Sequence, residues 1–574
     1  MNLDAWIKEL ESEDKAHKKY REKAQKVVDR YEDEGQRDHD DQFNILWSNV
    51  EVLHSALYAK APTPDIRRRY LDKDKTGKEA AEIAERSVAY AIDSQDFNAS
   101  IDTAVDDYLV PGMGNVRLRY QPYFEKGEPP RIDLETREKG LDPITLEAIN
   151  GIYNGEEEVE DYQRDELGPF IEGEPDEELV YSEVVLEPIN WRKFRWQPSA
   201  RWEDVDWCAI EHYMTEEELK ENYPDHKAIP MGYTSEGDKA HDEDLKSRAK
   251  IIEIFDRKNR KNIEIAMGYD EILKEEEDPL NLESYYPFPK PLVPTLKNGK
   301  FIPIPDYLFY QDQATELDRV TSRINRLTEQ LKYRGVYDSS FEELQNVVNK
   351  DDGEFQPVAD FADRFDGKGD LSKVIAAMPL NELQGVLLTM YKAREEIKQT
   401  IYEITGIADI MRGTSNASET LGAQQLKTQF GSMRLQRRQR DVATFVRGVI
   451  RLMVEIMVEN FEPEILEMMT GMEISDEVQQ ILSNDLLRSY RIDIETDSTI
   501  SEDAQQEKAS RIELVTAVTS FIEKVGPMAQ AGIMPIPVAK ELLGFAVRGF
   551  KIGRTLEDTI DEMGGDEGEN PEMQ

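Results

Sequence analysis

Only one cysteine, Cys208, occurs in 574 residues, so an intramolecular disulfide and a thiolate-cluster zinc site are both excluded. Histidine is scarce as well: His17, His39, His54, His212, His226 and His241, none of them in a His-Glu-x-x-His pattern and none beyond residue 241. No Gly-x-x-x-x-Gly-Lys-Ser/Thr occurs, which argues against a P-loop ATPase. Gly413-Thr414-Ser415-Asn416-Ala417 has the spacing of a nucleophile elbow. It follows a helix and a loop rather than a strand, however, and no histidine follows Ser415, so the Ser–acid–His order fails. No apolar run reaches the ~18 residues that span a bilayer, and Met1–Glu11 lacks the pattern of a signal peptide. Positive charge is also short, with 71 Lys and Arg against 118 Asp and Glu and a formal net charge of −47. A general nucleic-acid coat needs the opposite excess to displace counterions. So many carboxylates make any one pair uninformative, and neither catalysis nor a cofactor is expected. The composition points to a soluble protein assembled in a reducing cytoplasm, with about three or four domains on length alone.

Taken in order, residues 1–60 read as helical, with Phe43, Leu46, Val50, Leu53 and Leu57 as the inward stripe and Ala61-Pro62-Thr63-Pro64 as the stop. Residues 76–110 read as one helix ending at Pro111-Gly112-Met113-Gly114. Val116–Tyr120, Val180–Leu186, Ile251–Phe255, Ile263–Met267 and Tyr490–Glu495 carry strand signals. The acidic, Gly- and Pro-containing stretch 125–179 reads as a solvated excursion. Trp191, Trp196, Trp202 and Trp207 crowd together, either as the core of a mixed sheet or as an aromatic platform, the latter needing a basic groove. Six prolines between Tyr285 and Pro305 forbid a central strand or helix there. Helices are also expected over about 502–525 and 537–548, before an acidic tail.

The chain is organised around residues 381–461. A helix over 381–405 carries Leu383, Leu387, Met390, Ile397, Ile401 and Ile404 on three- and four-residue steps. Gly406 breaks it, and the loop Gly406-Ile407-Ala408-Asp409-Ile410-Met411-Arg412-Gly413-Thr414-Ser415-Asn416 follows. Asn416 and Glu419 form a weak capping box for a helix running to about Phe461. Unbroken, that helix would be roughly 65–70 Å long, although Gly422, Gly431 and Gly448 each weaken it. Its first half is polar, with Arg434, Arg437, Arg438 and Arg440; its second half is apolar on one side, through Phe445, Val449, Leu452 and Ile456. Upstream, a helix over 311–335 shows a 3-4 seam of Leu317, Val320, Ile324, Leu327 and Leu331, with Arg319, Arg323 and Arg326 off it.

This order of elements resembles the portal, or head-to-tail connector, proteins of tailed double-stranded DNA bacteriophages, most closely those of short-tailed phages. The resemblance covers roughly residues 40–530. Asn44-Ile45-Leu46-Trp47-Ser48-Asn49-Val50 running to Ala61-Pro62-Thr63-Pro64 carries part of it. Glu187-Pro188-Ile189 with Pro198-Ser199-Ala200 and Trp207-Cys208-Ala209-Ile210 carries a second part. Ile404-Thr405-Gly406-Ile407 leading through Ser418-Glu419-Thr420 into the long helix is the most specific. The resemblance implies a predominantly helical α+β portal fold: a wing with a mixed α/β part over 1–310, a first stem helix over 311–335, a clip over 336–380 and a second stem helix over 381–405. A DNA-facing tunnel loop over 406–417, a long wing helix over 418–461 and a wing and crown region with an acidic tail over 462–574 complete it. It further implies a homododecameric ring at one capsid vertex of the virion, without enzymatic activity. Double-stranded DNA passes through such a ring, driven by a separate terminase large subunit and touched locally by Arg412, Arg434, Arg437 or Arg438. Major capsid, scaffolding and tail-adaptor proteins are the further partners; no membrane is involved. The seamed helices would be the stem packing. Two rival readings are another head–tail adaptor without a tunnel loop, which ring stoichiometry would decide, and a metal-dependent nuclease, which a Mg²⁺-dependent cleavage assay would reveal.

Overall fold

The structure, a computed structural model, describes residues 2–33, 43–60, 62, 64–68, 75–94, 96–126, 131–133, 163–165, 168–172, 177–233, 247–330, 335–337, 375–377, 380–407, 421–483, 490–494, 504–530, 538 and 542–543. It mixes helices and strands and divides into two compact units, residues 1–499 and 500–574.

The first unit begins with helix α1 (Leu3–Tyr31), capped by the Asn2 side chain, which accepts from the Ala5 N–H at 3.1 Å. Helix α2 (Ile45–Leu57) follows, capped by Asn44, with Ile45, Leu46, Val50 and Leu57 buried. Strand β1 (Pro64–Arg68) leads to α3 (Lys75–Ser94) and α4 (Phe97–Leu109). The single helix expected over 76–110 is therefore two, with Asp96 at the N-cap position of the second. Strands β2 (Val116–Lys126) and β6 (Glu177–Pro188) form a long antiparallel ribbon, bulged at Tyr123/Phe124. Between them β3 (Arg131–Asp133), β4 (Gln163–Asp165) and β5 (Gly168–Glu172) make a small sheet in the order β3-β5-β4. The expected excursion over 125–179 thus holds paired strands. Alternation alone had suggested a ribbon only as far as Tyr120 and from Val180.

A five-stranded antiparallel sheet, β7 (Phe194–Trp196), β8 (Trp207–Met214), β9 (Ala249–Asp256), β10 (Lys261–Ala266) and β11 (Ile272–Glu277), comes next, with α5 (Glu216–Asn222) between β8 and β9. Successive side chains alternate between its faces. Ala209, Ile252, Ile254, Ile263 and Ile265 cluster with Trp6 and Leu10 of α1, while Cys208, Ile210 and Phe255 turn into the main core. Trp191, Trp196, Trp202 and Trp207 are all buried, Trp207 edge-on to Trp6 at 6.0 Å between centroids. The tryptophans are core. Tyr285–Pro305 forms neither helix nor strand.

Helix α6 (Gln311–Gln330) packs along α7 (Leu380–Thr405). The three residue pairs joining β12 (Gly335–Tyr337) to β13 (Ile375–Ala377) close the segment between those helices. On α6, Leu317 and Ile324 are buried, Val320 and Leu327 half-buried, and Arg319, Arg323 and Arg326 exposed; Leu331 lies outside the described residues. On α7, Leu383, Leu387, Met390 and Ile397 are half-buried. Helix α8 (Leu421–Asn460) runs 40 residues through Gly422, Gly431 and Gly448. Its second half is apolar on one broad side: Val442, Ala443, Phe445, Val446, Val449, Ile450 and all of Leu452–Met457 are buried, while Thr444 and Arg451 are exposed on the opposite face. At Gly448 a Cβ would lie 3.1 Å from the Cβ of Pro289, so the glycine lets the proline-rich segment press against the helix. Helices α9 (Pro463–Thr470) and α10 (Asp476–Ser483) follow, and β14 (Tyr490–Ile494) returns to pair with β1.

In the second unit, α11 (Ala504–Gln530) covers the helix expected over 502–525. Most of 537–548, and all of the acidic tail, lie outside the described residues.

The ribbon is tied to the five-stranded sheet by one ion pair. Arg117 of β2 donates from both Nη atoms to Glu253 of β9, each at 2.7 Å, while His212 Nε2 and Asn262 Nδ2 lie 3.0 Å from the same carboxylate. Burial alone would raise the Glu253 pKa, but Arg117, His212 and Asn262 outweigh it and hold it at about 2. Arg117→Leu should therefore destabilise the protein by about 3–5 kcal/mol in urea unfolding, because it strands a buried carboxylate, and adding Glu253→Leu should recover most of the loss. The folded pKa is depressed, so this contribution is complete above the ordinary carboxylate range and fades as pH falls toward 2.

Candidate functional site

The residues singled out in the sequence converge where α7 ends. Gly406 adopts φ +74, a left-handed conformation that closes a helix, and its N–H donates to the Tyr402 carbonyl at 2.8 Å. The last turn of α7 leaves carbonyls without helical partners. Arg434 of α8 supplies one: its Nη1 donates to the Glu403 carbonyl at 3.3 Å, with the Ile404 carbonyl at 3.5 Å. A Cβ at Gly406 would stand 2.7 Å from Arg434 Cδ, so the backbone angle calls for glycine and any side chain there must also displace the arginine. Ile407 is buried against this junction. Of the expected tunnel loop only Gly406 and Ile407 are described; Ala408, Asp409, Ile410, Met411, Arg412, Gly413, Thr414, Ser415 and Asn416 lie outside the described residues.

Arg434, Arg437, Arg438 and Asp441 sit three and four residues apart and share one face of α8. Together with α2, the Asp306–Phe309 turn and the end of α7, they line a pocket of about 530 Å³. Arg438 Nη2 donates to Asp306 Oδ2 at 2.5 Å, and Asp306 also accepts from Thr295 Oγ1 at 3.1 Å. Burial would lower the Arg438 pKa, but Asp306 reverses this and raises it. Burial raises the Asp441 carboxyl against the pull of Arg437, Arg438 and Arg440. Gln439 Nε2 donates to the Ala56 carbonyl at 2.9 Å and fixes α8 to α2.

Of the four arginines named as DNA contacts, Arg434 and Arg438 are thus engaged within the chain, and Arg412 lies outside the described residues. Arg437 is exposed, and its charge acts on Asp441 four residues on. The site's other members, Asp306, Phe309 and Tyr310, were not foreseen. They follow a proline-rich segment without periodicity, and a pairing across 132 positions leaves no local signal. Among the described residues no group of three or more His, Cys, Asp or Glu side chains is placed to hold a metal, and no helix is long and apolar enough to cross a membrane.

Replacing Gly406 with alanine should cost about 1–3 kcal/mol of stability, through the positive φ and the clash with Arg434. In thermal unfolding, Gly406→Ala combined with Arg434→Ala should lose less than the sum of the single variants, because removing the arginine side chain clears the clash. Additive losses would show that the contact is not the cause.

A scan against models of known protein families matches none, and a search of characterised proteins returns no significant match.

Proposed function

We propose that the chain is a portal protein of a tailed double-stranded DNA bacteriophage. In this reading twelve copies form a ring at one capsid vertex. Genomic DNA is packaged through the ring by a separate terminase and later ejected, and the tail attaches to it. The observation that carries the reading is the succession at the heart of the first unit. Two packed helices, α6 and α7, enclose a segment pinched shut by β12 and β13, and a glycine-terminated α7 leads into the 40-residue α8. That succession fits a stem, a clip, a tunnel loop at 406–417 and a wing spine.

Exposed apolar side chains on α7 support the same reading. Leu388 is 58% exposed, and Val386, Tyr391 and Ile404 are also uncovered. Packed beside α6, the helix still has apolar surface that a second copy of the pair would remove from water. The chain's acidity suits a conduit: a mostly like-charged wall lets DNA slide, and charges beyond about 8 Å are screened at physiological salt. Arg437, exposed and near enough to Asp441 to act on it by charge, is the arginine of the α8 stripe that meets a passing phosphate, while Arg434 and Arg438 brace the wall.

Negative-stain electron microscopy and native mass spectrometry of the purified chain test the proposal. Rings with a central hole are expected; only monomers and dimers at high concentration would overturn it. Leu388→Asp should abolish rings while leaving far-UV circular dichroism unchanged, since an unpaired charge buried in an apolar contact costs several kcal/mol. Normal rings from this variant would place the α7 surface in solvent and remove the stem assignment.

A further inference from the structure

A lysine stripe runs along α1, in a chain whose formal net charge is −47. The helix buries Trp6, Leu10, Glu13, His17, Tyr20 and Ala24. Lys8, Lys15, Lys19, Lys23 and Lys26, on steps of seven, four, four and three, lie on its outward side, and all are exposed. At 1.5 Å per residue the stripe is about 27 Å long. From Lys15 to Lys26 five lysines are exposed, Lys18 included, against a single exposed acid, Glu22. Among the described residues the ion pairs of α1 use Glu13, Asp14, His17, Arg21 and Arg30, and none uses a lysine. The ridge formed by α2 and α4 carries the opposite excess. Glu51 of α2 is exposed, as is Asp96 at the N-cap position of α4. The Asp102 and Asp106 side chains, one helical turn apart, are about half exposed, and His54 Nε2 lies 3.7 and 3.6 Å from them. Burial raises both carboxyls, and crowding adds to it, from Asp96 on the first and from Asp102 and Glu51 on the second. Among the described residues only His54 pulls the other way.

We propose that the lysine stripe of α1 docks on the α2–α4 ridge of a second copy of this chain. Charge complementarity selects that occupant. Two copies at −47 repel each other, so a contact between them needs a place where opposite signs meet. The stripe and the ridge are different surfaces, so the contact is head-to-tail, and a head-to-tail contact whose rotation closes makes a ring. This contact presupposes the ring reading above, and it lies outside the α6–α7 pair. Exposed charge pairs steer and orient more than they bind. The stripe therefore sets the register of neighbouring copies, while the apolar surface of α7 supplies adhesion.

The test uses the purified full-length chain and reads the ring fraction by native mass spectrometry over a concentration series. Lys19→Glu with Lys23→Glu should raise the concentration of half-assembly about tenfold or more. Far-UV circular dichroism should not change, because both side chains are exposed. Glu51→Lys with Asp106→Lys should do the same from the other surface; Glu51→Lys alone, on an exposed side chain, serves if the pair unfolds. Mixed in equal amounts, the lysine variant and the ridge variant should recover wild-type assembly, since each reversed surface then meets its opposite. Lys297→Glu with Lys300→Glu changes the net charge equally at exposed positions elsewhere and should leave assembly as it was. Normal rings from the Lys19 and Lys23 variant, an equal loss in the Lys297 and Lys300 variant, or no recovery on mixing would overturn the proposal. A lysine variant that assembles normally but no longer retains a short DNA duplex assigns the stripe to nucleic acid and overturns it too. Wild type without rings removes the ring reading and this contact together; wild-type rings that persist in every variant remove this contact alone.

Discussion

From Val442 to Met457 helix α8 buries a broad apolar face that takes up more than half of its circumference, and so wide a face must be covered by several other elements. What covers it comes from distant parts of the sequence: α2, α3 and both strands of the ribbon pack on α8, and the proline-rich segment meets it through Pro289 at Gly448. The positions of those elements follow from the helix. The N-terminal half of α8 is polar in sequence, and its described stretch from Met433 onward carries the arginine stripe. One rigid rod therefore joins a dry core to a charged pocket, and fixes the distance between them.

The buried charges follow a consistent rule. Glu13 of α1 is fully buried, yet His17 Nδ1 lies 2.9 Å from it, Arg195 Nη1 donates to it at 3.0 Å and Arg21 pairs with it. Burial would raise its pKa, but His17, Arg21 and Arg195 lower it. Glu253 is held in the same way by Arg117. Each such carboxylate ties together two elements that hydrophobic contacts alone would leave free to slide, because a displaced charge would lose its partners in a dry setting.

Periodic signals in the sequence located most elements. The 3-4 seam of Leu317 and Ile324 is buried where α6 meets α7, and the alternation at Ile251–Phe255 and Ile263–Met267 marks β9 and β10. Signals that are not periodic were lost. The break at Asp96 between α3 and α4 lies inside a continuous helical pattern, and β1 is a five-residue strand whose partner stands far away. The width of the buried side of α8 was underestimated, because Phe445, Val449, Leu452 and Ile456 look like a narrow stripe until Val446, Ile450 and Met453 are seen to be covered as well. Of the pocket at the base of α7, the arginines and Gly406 were legible from residue type. Asp306 and the engagement of Arg434 with the α7 carbonyls depend on chain segments brought together only by folding.

The pairing of β1 with β14 has a consequence for how the protein is made. Residues 64–68 cannot find their strand partner until residues 490–494 have been synthesised. The neighbouring α3 waits in the same way, since Ala80 and Ile83 bury against Val478 and Leu482, and Arg86 donates to the Thr470 carbonyl. At translation rates of roughly 5–20 residues per second, the interval is on the order of half a minute. During that time an apolar helix face and an unpaired strand edge are available to the wrong partners. This part of the first unit can close only after its C-terminal partner has been made, however fast its own residues fold.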